Sequence, residues 1–196
     1  MPTQTSSSST RILQTALGLF SKKGYDATSV REICEAAGIT KPTLYHFFGS
    51  KDGVYRALVD GALEGFQRDI EVRVAAPGSA IERLRSVARG YFEYAARDHE
   101  MVRFMLSLIH SPSSAAPLTD FPAFYEGLVR LVAGVMEEGV ASGELAPGPV
   151  DVRMLVFMGA MGEALCGNLV VGRPELTPEL ADGLVDTVVD GWRGAR

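Results

Sequence analysis

The chain has 196 residues, of which 46% are hydrophobic and 22% are charged, as in an ordinary globular protein large enough to bury a core. Its most apolar stretch, 154–171, is divided by Glu163 into two uncharged runs, each too short for a span of about 20 apolar residues. We therefore expect a cytoplasmic protein that makes no contact with a membrane.

Charge is distributed unevenly, although the formal net charge is only −5. Residues 1–51 contain six lysine or arginine residues and three acidic residues, whereas the remainder contains 13 basic and 21 acidic residues. Every lysine lies at or before position 51. A basic module joined to an acidic body predicts a polyanionic partner for the first part only.

The pattern along the chain predicts an all-α protein, because helical spacing of apolar residues recurs and no alternating run or hairpin turn indicates a strand. Residues 1–9 are polar and rich in serine, and we expect a disordered tail there. A first helix is predicted from a cap at Thr10 to a stop at Gly24.

Two short helices follow, each with recognisable end signals. Thr28 or Ser29 can cap the first of them, and Gly38 is suited to end it in a left-handed conformation. Thr40 can cap the second, and Pro42 suits its first turn because the missing N–H would be unpaired there in any case.

These two helices, at about 29–48, form a predicted helix-turn-helix. In that motif the second helix lies in the major groove of DNA with its N-terminal residues nearest the bases. Leu44, Phe47 and Phe48 would anchor this helix to a small core. The polar side chains left to face phosphates and base edges are those of Thr40, Lys41, Thr43, Tyr45 and His46.

The rest of the chain predicts longer helices, separated by breaks rich in proline, glycine and serine. We expect them at about 52–74, 79–97, 100–110, 121–142, 150–171 and 178–193.

The N-terminal stretch closely resembles the DNA-binding domain of the TetR family of bacterial one-component transcriptional regulators. The resemblance covers about residues 10–58, and beyond it only the set of long helices is similar. The matching residues are Phe20 with Gly24 and Tyr25, Thr28 to Val30, Ala37 to Ile39, Leu44 to Phe48, and Lys51.

The resemblance implies a three-helix DNA-binding domain at 10–51 and a helical-bundle domain for ligand binding and dimerisation at 52–196. It implies a homodimeric repressor that is released from a near-palindromic operator on double-stranded DNA by a small apolar or aromatic effector. We expect no cofactor.

The resemblance also implies roles for single residues. It implies phosphate contacts for Thr28, Tyr45 and Lys51. Each has an alternative, since Thr28 could only cap a helix, Tyr45 could be a packed aromatic and Lys51 a solvated charge. The residues implied to lie nearest the base edges are Lys41, Pro42, Thr43 and His46, of which His46 could be merely exposed.

The acidic body is rich in methionine and aromatic residues, which line adaptable apolar cavities. Any one of them could be plain core, but the resemblance implies a ligand pocket among them. His99, Arg103 and His110 are possible polar groups for it. Nothing in the spacing of histidine and cysteine predicts a metal site. The pocket residues we expect are Phe66, Phe104, Met105, Leu108, Phe124 and Met158.

The last two predicted helices have the composition of a pair that needs a partner. Small residues recur at Gly159, Gly162 and Cys166, and the final helix has an apolar stripe that includes Leu184, Val188 and Trp192. The resemblance implies a four-helix dimer interface built from this pair and its copy. The alternative is packing within one monomer only.

Two alternatives belong to other classes of function. An all-α enzyme would need a catalytic motif, and the sequence contains no GxSxG, HExxH, GxGxxG, P-loop or CxxC pattern. A dimeric interaction module could retain a helix-turn-helix without binding DNA. A salt-sensitive gel shift would distinguish the regulator from both.

Overall fold

The computed structural model describes residues 3–110 and 116–191, and these residues form nine α-helices and no strand. The all-α prediction is confirmed. The helices are α1 (Thr3–Lys23), α2 (Val30–Ala37), α3 (Lys41–Phe48), α4 (Lys51–Val74), α5 (Ala80–Arg97), α6 (His99–His110), α7 (Phe121–Ser142), α8 (Val150–Val171) and α9 (Pro178–Asp190).

The two ends of the helical region differ from the prediction. α1 begins at Thr3, so the expectation of a disordered tail is wrong for residues 3–9. Extending an existing helix adds a hydrogen bond per residue without a new nucleation step, which lets even serine-rich sequence continue it. At the other end α9 reaches Asp190, and the predicted limit at 193 lies outside the described residues.

The turns of the helix-turn-helix follow the predicted end signals. Ser29, rather than Thr28, caps α2, and its backbone N–H donates to the Glu32 carboxylate at 2.9 Å in a capping box. Lys23 and the groups of Ser29 lower the pKa of Glu32 to about 2, the Lys23 hydrogen bond having the largest effect. Gly38 ends α2 at φ 61°, and Thr40 caps α3.

The chain divides into two compact units. The first contains α1, α2, α3, the part of α4 up to Glu64, and α6, which packs against α1. Its core residues include Ile12, Ala16, Phe20, Ile33, Leu44, Val54, Val59 and Phe104.

The second unit contains the rest of α4 with α5, α7, α8 and α9. α5 packs against α9, and two arginines join the pair. Arg85 Nε donates to Asp186 at 2.8 Å, and Arg89 Nε donates to Asp182 at 2.7 Å. The buried residues of this unit include Leu84, Val87, Val132, Met136, Phe157, Met161 and Val185.

We expect Gly38→Ala to lower the free energy of unfolding by about 1–2 kcal/mol, because a side chain is strained at its positive φ. Gly61→Ala is the matched control. Gly61 lies inside α4 with no atom within 4 Å of an added Cβ, so alanine should stabilise the helix by about 0.5–1 kcal/mol. Urea denaturation of both variants measures the difference, and a neutral Gly38→Ala would show that the turn relaxes.

Candidate functional site

The outer side of α3 is a polar, solvent-exposed surface. Leu44 is fully buried and anchors the helix, while Thr43 is half-buried. Of the three predicted anchors, Leu44 is buried, whereas Phe47 and Phe48 are half-buried like Thr43, so the division of α3 into two sides is less sharp than predicted. The exposed residues on the outward side are Thr40, Lys41, Pro42, Tyr45 and His46.

The first turn of α3 combines hydroxyl groups with a cation. The hydroxyls of Thr40 and Thr43 lie 2.9 Å apart, and the Thr40 hydroxyl accepts from the Thr43 N–H at 3.4 Å. Lys41 is exposed beside them. Because the N-terminus of a helix attracts anions, this turn is suited to lie against a phosphate or the acceptor edge of a base.

Two residues with implied phosphate contacts are directed into the protein. Thr28 is only 1% exposed, and its hydroxyl donates to the Gly24 carbonyl at 2.8 Å. The Lys51 ammonium donates to the carbonyls of Tyr25 and Thr28, both at 2.9 Å, and lies 3.9 Å from the centroid of the Tyr25 ring. Both side chains thus support the turn between α1 and α2, and their phosphate contacts remain predictions.

Tyr25 is the centre of this arrangement, and sequence reasoning assigned it no role. Its hydroxyl donates to the Asp52 carboxylate, and its ring packs 5.7 Å from Phe20 and 5.0 Å from Tyr55. Burial, followed by the bond to Asp52, raises the pKa of Tyr25 well above its ordinary value. The sequence shows the neighbouring residues Gly24-Tyr25 and Lys51-Asp52, but no local pattern shows that these two pairs contact each other in the fold.

Phe104, an expected pocket residue, belongs to the core of the first unit. It is 2% exposed, with its ring 6.3 Å from Phe20 and 5.5 Å from Tyr55. Met105 and Leu108 are half-buried on the same helix. Composition made Phe104 a pocket candidate, but its packing against these rings places it in an aromatic core.

Three other expected pocket residues lie close together in the second unit. The Phe66 ring is 4.8 Å from that of Tyr91, 5.1 Å from that of Tyr94 and 6.3 Å from that of Phe124. The Tyr91 hydroxyl lies 3.5 Å from the sulfur of Met158. We call these five residues the aromatic–methionine cluster. Sequence analysis predicted Phe66, Phe124 and Met158 and missed the two tyrosines as ligand candidates.

The possible polar groups of the pocket do not form a cluster among the described residues. His99 and Arg103 are exposed, and the side chain of His110 lies outside the described residues. Within residues 3–110 and 116–191, no three histidine, cysteine, aspartate or glutamate side chains are grouped so that they could hold a metal ion.

The expected dimer residues border an exposed apolar face of α8. Gly159 is exposed, Gly162 and Cys166 are half-buried, and an added Cβ at either glycine would meet no atom within 4 Å. By length and composition alone, α8 could also cross a membrane, a test that core helices of globular proteins pass too. The same face exposes Val152, Leu155 (74% exposed), Val156 and Val170.

The α9 residues that were expected in the dimer interface are less exposed than the apolar residues of α8. Leu184 and Val188 are half-buried, and Trp192 lies outside the described residues. An exposed apolar surface such as that of α8, which the exposed Glu163 interrupts, marks an interaction surface in a globular protein.

Comparison with known proteins agrees with this geometry. The family model for bacterial regulatory proteins of the tetR family matches residues 12–58, which include the whole helix-turn-helix. A solved TetR-family transcriptional regulator, PfmR from Thermus thermophilus, is 27% identical and superposes with a TM-score of 0.74 over 95% of this chain and 96% of its own. The DNA-binding domain of the chain therefore belongs to the TetR family.

Two curated relatives extend the match beyond the DNA-binding domain. The fatty acid metabolism regulator protein of Bacillus subtilis is 25% identical over 183 residues, which are 92% of this chain and 93% of that protein. The transcriptional repressor KstR2 of Mycolicibacterium smegmatis is 28% identical over 156 residues, 74% of this chain and 71% of the repressor. These relatives are regulators rather than enzymes.

The chain is therefore a DNA-binding transcriptional regulator. The matched helix-turn-helix makes double-stranded DNA its partner. α2 and α3 are its helix-turn-helix, with α3 as the recognition helix.

Replacing Lys41 and replacing Lys51 should have different effects. Lys41→Ala should lower the slope of log affinity against log salt concentration by about one, as loss of a phosphate contact does. Lys51→Ala should instead lower the free energy of unfolding by about 1–3 kcal/mol, because two carbonyls lose a charged donor. Operator titrations at several salt concentrations, with urea denaturation, measure both effects.

For Lys51→Ala we expect weaker operator binding with a nearly unchanged slope. A slope that falls by about one would instead support the phosphate contact implied by the family resemblance. Each variant thus serves as the control for the other.

Proposed function

We propose that this protein is a cytoplasmic, non-enzymatic repressor that binds a near-palindromic operator as a homodimer and is released when a fatty acyl effector binds. The observation that carries the proposal is the recognition helix α3, which buries Leu44 and exposes Lys41, Tyr45 and His46 beside its N-terminus. The relative named as a repressor supports the direction of regulation.

On DNA, each copy of α3 would enter one major groove, and the two half-sites would lie about 34 Å apart, one helical turn of the duplex. We assign base-edge positions to Lys41, Pro42, Thr43 and His46, and phosphate positions to Thr40 and Tyr45. Thr28 and Lys51 would hold the turn that positions α2.

Two observations support the effector class: the name of one relative and the side chains of the second unit. The Bacillus subtilis relative is named for fatty acid metabolism. In this chain the aromatic–methionine cluster contains large apolar side chains that are only half-buried, among them Phe66, Phe124 and Met158. Such flexible and aromatic residues suit the wall of a site for an apolar chain.

The long helix α4 is the proposed link between the two events. It carries Phe66 of the cluster and, at its other end, Lys51 of the DNA-binding unit. An effector shifts the equilibrium only by its difference in affinity for the two states, commonly about 1–3 kcal/mol. We propose that the acyl-bound state holds the two recognition helices at a spacing that fits the operator poorly.

Palmitoyl-CoA should weaken operator binding by about 5- to 150-fold, whereas free CoA, which lacks the acyl chain, should not. Fluorescence anisotropy of a labelled operator measures both. An equal response to the two compounds would rule out recognition of the acyl chain.

Base recognition is tested on Thr43. We expect Thr43→Ala to change base preference at one or two operator positions by about 1–3 kcal/mol each. Selection from a randomised operator library with both proteins reports the preference, and recovery of an identical motif would remove Thr43 from the residues that read bases.

The dimer interface is tested at Gly162. Gly162→Leu should prevent close approach of a second copy of α8 and shift the protein to monomer, since the open space above Gly162 lets the monomer itself accept the side chain. Gly61→Leu, at another helical glycine with open space, should leave the dimer intact. Sedimentation velocity compares the two, and an unchanged Gly162→Leu dimer would place the interface elsewhere.

A further inference from the structure

Tyr91 carries a buried hydroxyl whose neighbours are mainly apolar, although the Tyr125 phenol is near enough to add to the rise in the pKa of Tyr91 after burial. The residue lies on α5 and is 9% exposed. Its ring meets Phe66 edge-on at 4.8 Å, and its hydroxyl lies 3.5 Å from the Met158 sulfur. Among the residues that the structure describes, this thioether is the hydroxyl's hydrogen-bond partner.

A thioether is a weak acceptor, whereas a buried tyrosine hydroxyl is usually bonded to an oxygen or nitrogen. Phenylalanine would give the same ring packing without placing an O–H among apolar groups. Burial raises the pKa of Tyr91 far above its ordinary value, so the group keeps its proton and remains a donor at any physiological pH. A fixed donor whose partner among the described residues is a sulfur is available to a better acceptor.

The neighbours of this hydroxyl define what could bring that acceptor. Phe66, Tyr94, Phe124 and Met158 are each only half-buried, so an apolar compound has side-chain surface against which to bind. One donor in an apolar wall matches a ligand with one acceptor on an apolar body. A carbonyl oxygen at the end of a hydrocarbon chain has that chemistry.

We propose that the Tyr91 hydroxyl is the polar anchor of the effector site and donates a hydrogen bond to the carbonyl oxygen of a fatty acyl thioester. The inference rests on the proposed response to fatty acyl effectors and adds the residue that recognises the carbonyl group. Met158 holds the hydroxyl in the apo protein and yields it to the ligand.

The test compares two probes of equal chain length, palmitoyl-CoA and S-hexadecyl-CoA, which differ in the carbonyl group. Isothermal titration calorimetry on the full chain gives both affinities. The wild-type protein should bind the thioester about 2- to 10-fold more tightly than the thioether, which is the range for one neutral hydrogen bond. Tyr91→Phe should bind the two probes equally.

Tyr55→Phe is the matched control, because Tyr55 is also a buried tyrosine but packs in the first unit, outside the aromatic–methionine cluster. It should keep the preference of the wild-type protein for the thioester.

A second measurement is the melting temperature of the apo proteins. Tyr91→Phe should melt at the wild-type temperature or above, because a hydroxyl bonded only to sulfur adds little to folding.

The outcomes separate the two proposals. A preference for the thioester that persists in Tyr91→Phe, or that is absent from the wild type although both probes bind, overturns the role of Tyr91 and leaves the acyl effector standing. A fall of about 2–4 °C in the melting temperature of Tyr91→Phe would show a structural hydroxyl and also overturn it. Failure of the wild type to bind either probe overturns the effector class and the anchor together.

Discussion

The ammonium group of Lys51, at the first residue of α4, donates to two carbonyls of the turn that joins α1 to α2 and lies over the Tyr25 ring. That turn leads directly into Ser29, the cap of α2, and α2 leads through Gly38 into the recognition helix. Charge-assisted hydrogen bonds are short, directional and stronger than neutral ones. The start of α4 therefore determines where the helix-turn-helix sits within its unit.

A second constraint acts at the other end of α3. Gly53, in the first turn of α4, lies so close to the carbonyl of Phe48 that an added Cβ would overlap it. The close approach brings the end of the recognition helix onto the first turn of the helix that follows. Together with the Lys51 contacts before α2, it fixes the helix-turn-helix to the start of α4 at both ends of the motif.

Helix ends, which depend on local chemistry, were predictable from the sequence. The direction and surroundings of single side chains, which depend on tertiary contacts, were not. Caps and stops such as Ser29, Gly38 and Thr40 act through their own backbone neighbours, so the helices of the motif were predictable to within a residue or two. The inward direction of Lys51 depends on Tyr25, 26 residues earlier, and no local pattern reports it. Phe104 and Tyr91 illustrate the same limit, because an aromatic residue in a core and one beside a ligand have the same periodicity.

The packing of α6 limits the structural changes that are available to the first unit. α6 packs against α1, and Phe104 lies between Phe20 and Tyr55, whose rings also pack on Tyr25. Close-packed interiors do not deform continuously but change between discrete arrangements. A shift of α6 must therefore either carry these rings with it or break their contacts. Tyr25 supports Lys51. If the rings moved with α6, the turn that positions α2 would therefore move as well. If their contacts broke, the core beneath that turn would loosen.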